Sequence, residues 1–278
     1  MTLLPLGRLP RPLCPPPARR LATALIAACA CILLLGGAPR AVAAETLRVA
    51  AAANLSHALP EIAAEFERAS EHAVKISFGA SGNLSRQIRR GAPFALFLGA
   101  DESYVEALAA DGFGAAPSAV YARGALALYA PEGSPVAVDG DLAGLAAALD
   151  AGRLRRFAVA SPDHAPYGRL ARSALQRAGL WKRLQPLLVN GENAAQTAQF
   201  ATTGAVDAAL IPHSLAGLPA LARRGRSAAL NESLAPPLRQ RMLLIDGRDG
   251  VAARAFFAYL RGAAARAVLL RHGFAAAD

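Results

Sequence analysis

The sequence has 278 residues, of which 54% are hydrophobic and 18% are charged, and its formal net charge is +10. The length and the apolar content exclude a disordered chain and allow one or two domains with a sizeable buried core. The basic balance is compatible with nucleic-acid binding, so the positions of the charges decide how that function class is weighed.

The first 44 residues have the pattern of an export signal. Four arginines precede an apolar run at residues 21–35, and small residues follow at 41–44. This order is typical of a secretory signal peptide, and the run is shorter than the about 20 residues that a membrane span requires. The sequence therefore predicts a signal peptide at residues 1–44, cleaved near Ala43–Glu45, and an exported protein. Lipoprotein processing at Cys29 is the alternative.

Removing this segment changes the composition of the chain. Five of the 30 basic residues and none of the 20 acidic residues lie in it, so the net charge falls to +5. All three cysteines (Cys14, Cys29 and Cys31) lie there too, and the mature chain is expected to have no disulfide and no thiolate nucleophile. The remaining arginines lack interleaved aromatic residues, which favours solvated faces over a nucleic-acid surface.

Hydrophobic periodicity beyond the signal alternates between strand and helix, which predicts an α/β fold with parallel sheets. The predicted strands cover residues 46–51, 74–78, 94–98, 125–130, 156–160, 206–211 and 239–245. The predicted helices cover residues 55–66, 81–88, 101–108, 168–178, a short stretch near Trp181, 193–203, 251–260 and 263–271. Residues 215–238 are rich in Pro, Gly and Arg and carry no assignment.

Common catalytic motifs are absent from the sequence. There is no phosphate-binding G-x-x-x-x-G-K-[ST] loop, no G-x-G-x-x-G after a strand, and no metal-binding spacing among the five histidines. Ser81 lies in Gly-Ala-Ser-Gly-Asn, which resembles a nucleophile elbow, but Asn83 stands where that motif needs glycine. A serine hydrolase is therefore only an alternative.

Small and polar residues lie at the starts of four predicted helices, the first two of which directly follow predicted strands. They include Asn54, Ser81, Tyr167 and Ala194. In an open α/β sheet ligands bind beyond the carboxyl ends of the strands, and helix N-termini bind anions through unpaired N–H groups. The pattern indicates an anion site, although Asn54 and Ser81 could instead serve only as helix caps.

Seven segments carry a family pattern by their order and spacing: 49–55, 78–88, 91–101, 161–168, 192–196, 255–262 and 272–274. With them, the chain resembles the periplasmic molybdate-binding proteins of molybdate ABC transporters from Leu47 to Phe274. The resemblance implies a two-lobed, type II periplasmic binding protein. Each lobe would be a mixed, mainly parallel sheet flanked by helices, and a two-segment hinge would join them. The expected lobes are residues 45–128 with 238–278, and residues 129–237.

The resemblance also implies a set of ligand-binding residues. Carried over by position, the first lobe supplies the backbone of Ala53 and the side chains of Asn54 and Ser81. The second lobe supplies Tyr167 and the backbone N–H of Ala194. Pro212 stands where many relatives have a tyrosine ligand, so we expect it not to bind.

The implied ligand is molybdate, with tungstate as a second, and molybdenum would be bound only as the oxyanion. No cofactor and no catalytic activity are expected. The implied partner is the membrane permease of an ABC transporter, and the protein is expected to be a monomer that does not bind nucleic acid. The alternatives are an exported hydrolase with Ser81 as nucleophile, and a receptor for another small oxyanion such as sulfate.

Overall fold

The computed structural model describes residues 46–277, apart from the side chains of residues 116 and 117. The predicted signal peptide and the three cysteines lie outside the described residues. Within residues 46–277, no helix combines the length and the apolar character needed to cross a membrane.

The strands of the described chain form two five-stranded sheets. In chain order they are β1 (Thr46–Ala52), β2 (Ala73–Gly79), β3 (Leu96–Gly99), β4 (Gly114–Gly124), β5 (Leu126–Pro131), β6 (Phe157–Ala160), β7 (Leu188–Gly191), β8 (Ala208–Pro212), β9 (Gly225–Ala229) and β10 (Leu238–Ile245). The first sheet has the order β2-β1-β3-β10-β4 and the second the order β7-β6-β8-β5-β9.

Helices cover both sheets. They are α1 (Ala58–Ala69), α2 (Ser81–Arg89), α3 (Glu102–Ala110), α4 (Ala143–Asp150), α5 (Pro166–Arg177), α6 (Trp181–Leu184), α7 (Ala194–Thr202), α8 (His213–Ala216), α9 (Pro219–Ala222), α10 (Val251–Leu260) and α11 (Ala263–Arg271). Short 3₁₀ turns occupy Ala53–Leu55 and Gln185–Leu187. The prediction of two mixed sheets flanked by helices is confirmed.

Parallel and antiparallel pairings divide each sheet. In the first sheet, β1 pairs in parallel with β2 and β3, while β10 runs antiparallel to β3 and β4. In the second, β6 pairs in parallel with β7 and β8, while β5 runs antiparallel to β8 and β9. The parallel strands of each sheet therefore end at a common edge, where the following helices begin.

The first sheet has an apolar core on each face. Leu47, Val49 and Ala51 of β1 pack with α1, α10 and α11, whereas Ala50 packs with α2 and α3. This alternation follows from the two-residue period of a strand. The second sheet has a core of its own, built around β5, β6 and β8 with α5 and α7.

The chain passes between the sheets twice. It leaves the first sheet at Gly124, enters the second at Leu126, and returns between Ala229 and Leu238. The two connections run side by side, since Leu230 N–H donates a hydrogen bond of 2.9 Å to the carbonyl of Leu126.

Strand β4 is absent from the sequence-based prediction. Its eleven residues are mostly Ala and Gly and include a proline, so neither apolar alternation nor β-propensity indicates a strand. Its position at the edge of the first sheet explains how it forms, because an edge strand needs hydrogen bonds on one side only and tolerates proline. Helix α4 and strands β7 and β9 were also not predicted.

Asp207 joins the start of β6 to the segment before β8. Its carboxylate accepts main-chain hydrogen bonds from Arg155 (2.7 Å) and Arg156 (2.9 Å). Burial alone would raise the pKa of Asp207, but these hydrogen bonds outweigh it, and the net pKa lies below the ordinary value. The ionised carboxylate therefore stabilises the fold, and this contribution is present above the unfolded-state pKa of about 3.9.

We expect Asp207→Ala to lower the free energy of unfolding at pH 7 by about 1–2 kcal/mol, because two main-chain donors lose their acceptor. The difference from the wild type should shrink as the pH falls below about 4 and the wild-type carboxylate is protonated. Urea unfolding at several pH values measures it. Asp207→Asn, which keeps an acceptor that does not titrate, is the control, and an Asp207→Ala penalty that is constant down to pH 2 would contradict the assignment.

Candidate functional site

A small cavity lies between the two sheets, where the carboxyl ends of their parallel strands face each other. The room that it offers to the centre of a water-sized sphere is about 10 Å³. Its lining residues are Ala52, Ala53, Asn54, Gly79, Ala80, Ser81, Ala100, Ala165, Pro166, Tyr167 and Ala194. The structure thus brings together all five residues singled out in the sequence, and Pro212 is not among the lining residues.

Ser81 begins helix α2, and its side chain does not act as a cap. The residue before the helix is Ala80, and no side chain caps the helix start. Instead, the buried Ser81 Oγ accepts a hydrogen bond of 3.0 Å from the N–H of Ala100, beyond the end of β3. Because the hydroxyl oxygen is the acceptor in that bond, its own hydrogen remains available to donate into the cavity.

The N–H of Ala194 lies at the start of α7 and has no hydrogen-bond partner within the described residues. The Asn193 side chain caps the next two N–H groups, those of Ala195 and Gln196, at 3.0 and 3.1 Å. Ala194 itself is buried. A buried N–H at the positive end of a helix is suited to an anionic acceptor.

Tyr167 lies in the first turn of α5, directly after Pro166. Burial raises the pKa of its hydroxyl well above the ordinary value, although hydrogen bonds from Gln240 and Asn54 lower it in part. The hydroxyl is therefore neutral at physiological pH and can donate. Gly168 allows the helix to begin there, since a Cβ at this position would lie 2.3 Å from the carbonyl oxygen of Ala160.

Asn54 lies in the 3₁₀ turn after β1, and it does not cap the following helix, which begins at Ala58 without a side-chain cap. Its Nδ2 donates to Gln240 Oε1 at 3.0 Å, and its main-chain carbonyl accepts from Ser214 Oγ at 3.3 Å. Only 2% of the residue is exposed, and within the described chain Oδ1 has no partner. An amide oxygen accepts hydrogen bonds, so a donor such as water completes this position, whereas an oxyanion without a proton does not.

Charged side chains are absent from the lining of the cavity, as far as the described residues go, and are found at its rim. Arg169 of α5 forms an ion pair with Asp101 at 2.8 Å and lies over the ring of Tyr104. Close by, the N–H of Gly82 donates to the carbonyl of His164 at 2.9 Å. These contacts join the two sheets beside the lining residues Ala100, Ser81 and Ala165.

The surroundings of Ser81 do not fit a nucleophile. Its hydrogen-bond partner is a main-chain N–H, and within residues 46–277 no histidine or carboxylate is bonded to its hydroxyl. The ring nitrogens of His164 are engaged by the carbonyl of Glu192 and by Ser161. Without a general base in contact, the hydroxyl can bind a ligand but is not activated for attack.

Two polar residues beside the cavity were not recognised in the sequence. Gln240 of β10 bonds to Asn54, Tyr121 and Tyr167, and Ser214 of α8 bonds to the main chain of Asn54. The signal for Gln240 lies in the alternation Leu-Arg-Gln-Arg-Met, in which Gln occupies an inward position between two outward arginines.

Known proteins match the chain over nearly all of the described region. The family of bacterial extracellular solute-binding proteins matches residues 47–275. The molybdate-binding protein ModA of Azotobacter vinelandii is 33% identical over 247 residues, which is 87% of this chain and 96% of that protein. ModA of Rhodobacter capsulatus is 33% identical over 251 residues, covering 89% and 94%.

A solved structure matches as well. The periplasmic molybdate-binding protein of Azotobacter vinelandii aligns with a TM-score of 0.74 at 27% identity, covering 82% of this chain and 98% of that chain. The family resemblance noted in the sequence is thereby confirmed. The chain belongs to the family of bacterial extracellular solute-binding proteins, as a relative of the molybdate-binding proteins ModA.

Proposed function

We propose that the protein is a periplasmic receptor that captures molybdate, and also tungstate, in the cavity between its two sheets and delivers it to the permease of an ABC transporter. One observation carries the proposal: Ser81, Tyr167 and Ala194, each with a neutral hydrogen-bond donor, line one cavity whose described lining residues include no charged side chain. The names of the two ModA relatives support molybdate as the ligand.

Neutral donors suit a fully ionised oxyanion. Each donor contributes a charge-assisted hydrogen bond, and no cationic side chain is needed within the cavity. An anion that carries a proton, such as hydrogen phosphate, would place its own O–H against the donors of Ser81, Tyr167 and Ala194, and the oxygen of Asn54 is the one unpartnered side-chain acceptor among the described lining residues. The site would therefore disfavour hydrogen phosphate relative to a fully ionised anion, while discrimination against sulfate would depend on the fit of the smaller anion to the cavity.

Ligand capture would involve hinge closure between two lobes that follow the two sheets, residues 46–124 with 238–277 and residues 126–237, since the boundary expected at residue 128 falls inside β5 of the second sheet. The two side-by-side connections near Gly124–Leu126 and residues 230–237 would form the hinge. The rim contacts Arg169–Asp101 and Gly82–His164 join the lobes directly. The described conformation would then be the closed one, and an open conformation would admit the anion.

The remaining parts of the proposal follow from the receptor function. The protein would be exported by the segment 1–44, would act as a monomer without a cofactor, and would catalyse no reaction. The uncharged cavity would provide specificity, while the net charge of +5 outside the signal would assist the approach of anions over long range.

Calorimetry on the mature chain tests the function. We expect 1:1 binding of molybdate and of tungstate, at least about 100-fold weaker binding of sulfate, and no binding of phosphate at pH 7.5. The chloride salt at equal ionic strength is the control. Tight binding of sulfate with none of molybdate would favour a sulfate receptor, and no binding of any of the four anions would overturn the proposal.

A further inference from the structure

Gln240 is a fully buried polar residue in the middle of β10, next to the cavity but outside its lining. Its neighbours Arg239 and Arg241 point to the opposite side of the strand, where both bond to Glu102. A polar side chain at an inward position of a central strand lowers the stability of the fold unless each of its hydrogen-bonding atoms has a partner.

The carboxamide of Gln240 satisfies this requirement through three residues. Its Oε1 accepts from Asn54 Nδ2 at 3.0 Å and from the Tyr121 hydroxyl at 2.9 Å. Its Nε2 donates to the Tyr167 hydroxyl at 3.0 Å. Asn54 and Tyr121 belong to the first sheet and its turns, whereas Tyr167 belongs to α5 on the second, so this one side chain joins both.

The direction of these hydrogen bonds determines whether the Tyr167 hydroxyl can donate its hydrogen to a group in the cavity. With Oε1 accepting from Asn54 Nδ2, the amide presents its NH₂ end to Tyr167. The tyrosine oxygen is then the acceptor, and its own hydrogen remains free for a group in the cavity. If the amide were reversed, the tyrosine hydrogen would be used on Gln240 and withdrawn from the cavity.

The main chain passes close to this bond. A Cβ at Gly124, the last residue of β4, would lie 2.1 Å from both Gln240 Nε2 and the Tyr167 hydroxyl. Gly124 is also the point where the chain leaves the first sheet. The absence of a side chain there gives the Gln240–Tyr167 bond the space in which it forms.

We propose that Gln240 is a positioning residue of the oxyanion site, which orients the amide of Asn54 and fixes the Tyr167 hydroxyl as a donor to the ligand once the two sheets have closed. This inference rests on the proposed function. Gln240 would act through Asn54 and Tyr167 without touching the anion.

Affinity for molybdate, measured by calorimetry, tests the role. We expect Gln240→Met to weaken binding about 10- to 100-fold, as is typical of residues that orient ligand-binding groups. Gln240→Glu, which keeps the shape, should weaken it at least as much at pH 7.5, since an ionised carboxylate takes the tyrosine hydrogen and repels the anion. Gly124→Ala should also weaken it, although Gln240 is intact. Gln87→Met on the exposed face of α2 is the matched control and should bind like the wild type.

A double-mutant cycle separates positioning from a merely structural role. If Gln240 acts through the tyrosine hydroxyl, Gln240→Met should cost much less affinity when introduced into Tyr167→Phe. The double variant should then bind at least about 5-fold more tightly than the product of the two single losses predicts. Losses that simply multiply would overturn the positioning role.

The outcomes also distinguish this inference from the proposed function. If the wild type binds molybdate and both Gln240→Met and Gly124→Ala bind equally well, only the role of Gln240 is refuted. If the wild type itself fails to bind, the proposed function is refuted and this inference with it. Thermal unfolding of each variant identifies losses that arise from misfolding, and Gln240→Glu provides the measurement if Gln240→Met does not fold.

Discussion

The double variant Ser81→Ala with Tyr167→Phe is expected to lose molybdate affinity by about 1,000-fold. A hydrogen bond to a charged group contributes about 1.5–3 kcal/mol, which corresponds to roughly 10- to 150-fold in affinity for each hydroxyl. Because both hydroxyls would bind the same anion, their losses are coupled, and the expected loss lies below the product of the two upper limits. Calorimetry or displacement of bound tungstate measures the loss, and each single variant should lie between the wild type and the double variant.

The control for this experiment removes one serine hydroxyl and one tyrosine hydroxyl that lie away from the cavity. Ser70→Ala with Tyr259→Phe deletes a serine and a tyrosine hydroxyl that bond to Phe66 and Glu65, at the far end of α1. This variant should bind molybdate within about 2-fold of the wild type. Wild-type affinity in the Ser81→Ala with Tyr167→Phe variant, with its fold intact, would show that the two hydroxyls do not hold the anion.

The second large effect is expected from Ala194→Pro, which removes one main-chain donor. Ala194 is the first residue of α7, where proline is well tolerated because no hydrogen bond within the helix uses that nitrogen. The preceding Asn193 has extended backbone angles (φ −153°, ψ 177°), which suit a residue before proline. We therefore expect the helix to form while molybdate affinity falls about 100-fold or more, since the donor is lost and the ring occupies part of the cavity.

A matched substitution tests the helix independently of the site. Ala263 is the first residue of α11, also a nine-residue helix, and it is exposed and remote from the cavity. Ala263→Pro should leave both molybdate affinity and the unfolding temperature close to the wild-type values. Equal affinity of Ala194→Pro and the wild type would mean that the N–H of Ala194 does not contact the ligand.

Much of the architecture around the cavity could be predicted from local sequence. Asp101 and Asn193 cap helices in the structure, as residues of these types after a strand suggest. Strands rich in apolar residues, such as β1 and β6, were recognised because burial on both faces leaves a continuous apolar run. Since helices begin at the same edge of each sheet, local patterns also indicated which residues would meet.

Elements whose formation depends on their neighbours could not be predicted. Strand β4 is specified by its pairing with β10, which lies more than 100 residues away, and not by its own small residues. Helix α4 follows Leu142, which adopts a left-handed backbone (φ 65°) that a leucine does not indicate in sequence. Tertiary contacts outweigh local propensity at both places.

The hydrogen-bond network beside the cavity could not be predicted from the sequence either. The inward position of Gln240 is visible in its strand, but its partner Asn54 is 186 residues away and Tyr167 is 73 residues away. Sequence spacing does not indicate which end of an amide faces which hydroxyl. The caps suggested for Asn54 and Ser81 were wrong for a related reason, because each side chain bonds to a distant segment and not to the helix that follows it.

Anomalous diffraction at the molybdenum edge, from crystals of the mature protein grown with molybdate, tests whether the anion binds between the two sheets. We expect one strong anomalous peak in the cavity between the sheets, with oxygens of the anion within hydrogen-bond distance of Ser81 Oγ, the Tyr167 hydroxyl and the N–H of Ala194. A peak located elsewhere, or no peak in crystals that contain molybdate, would contradict it.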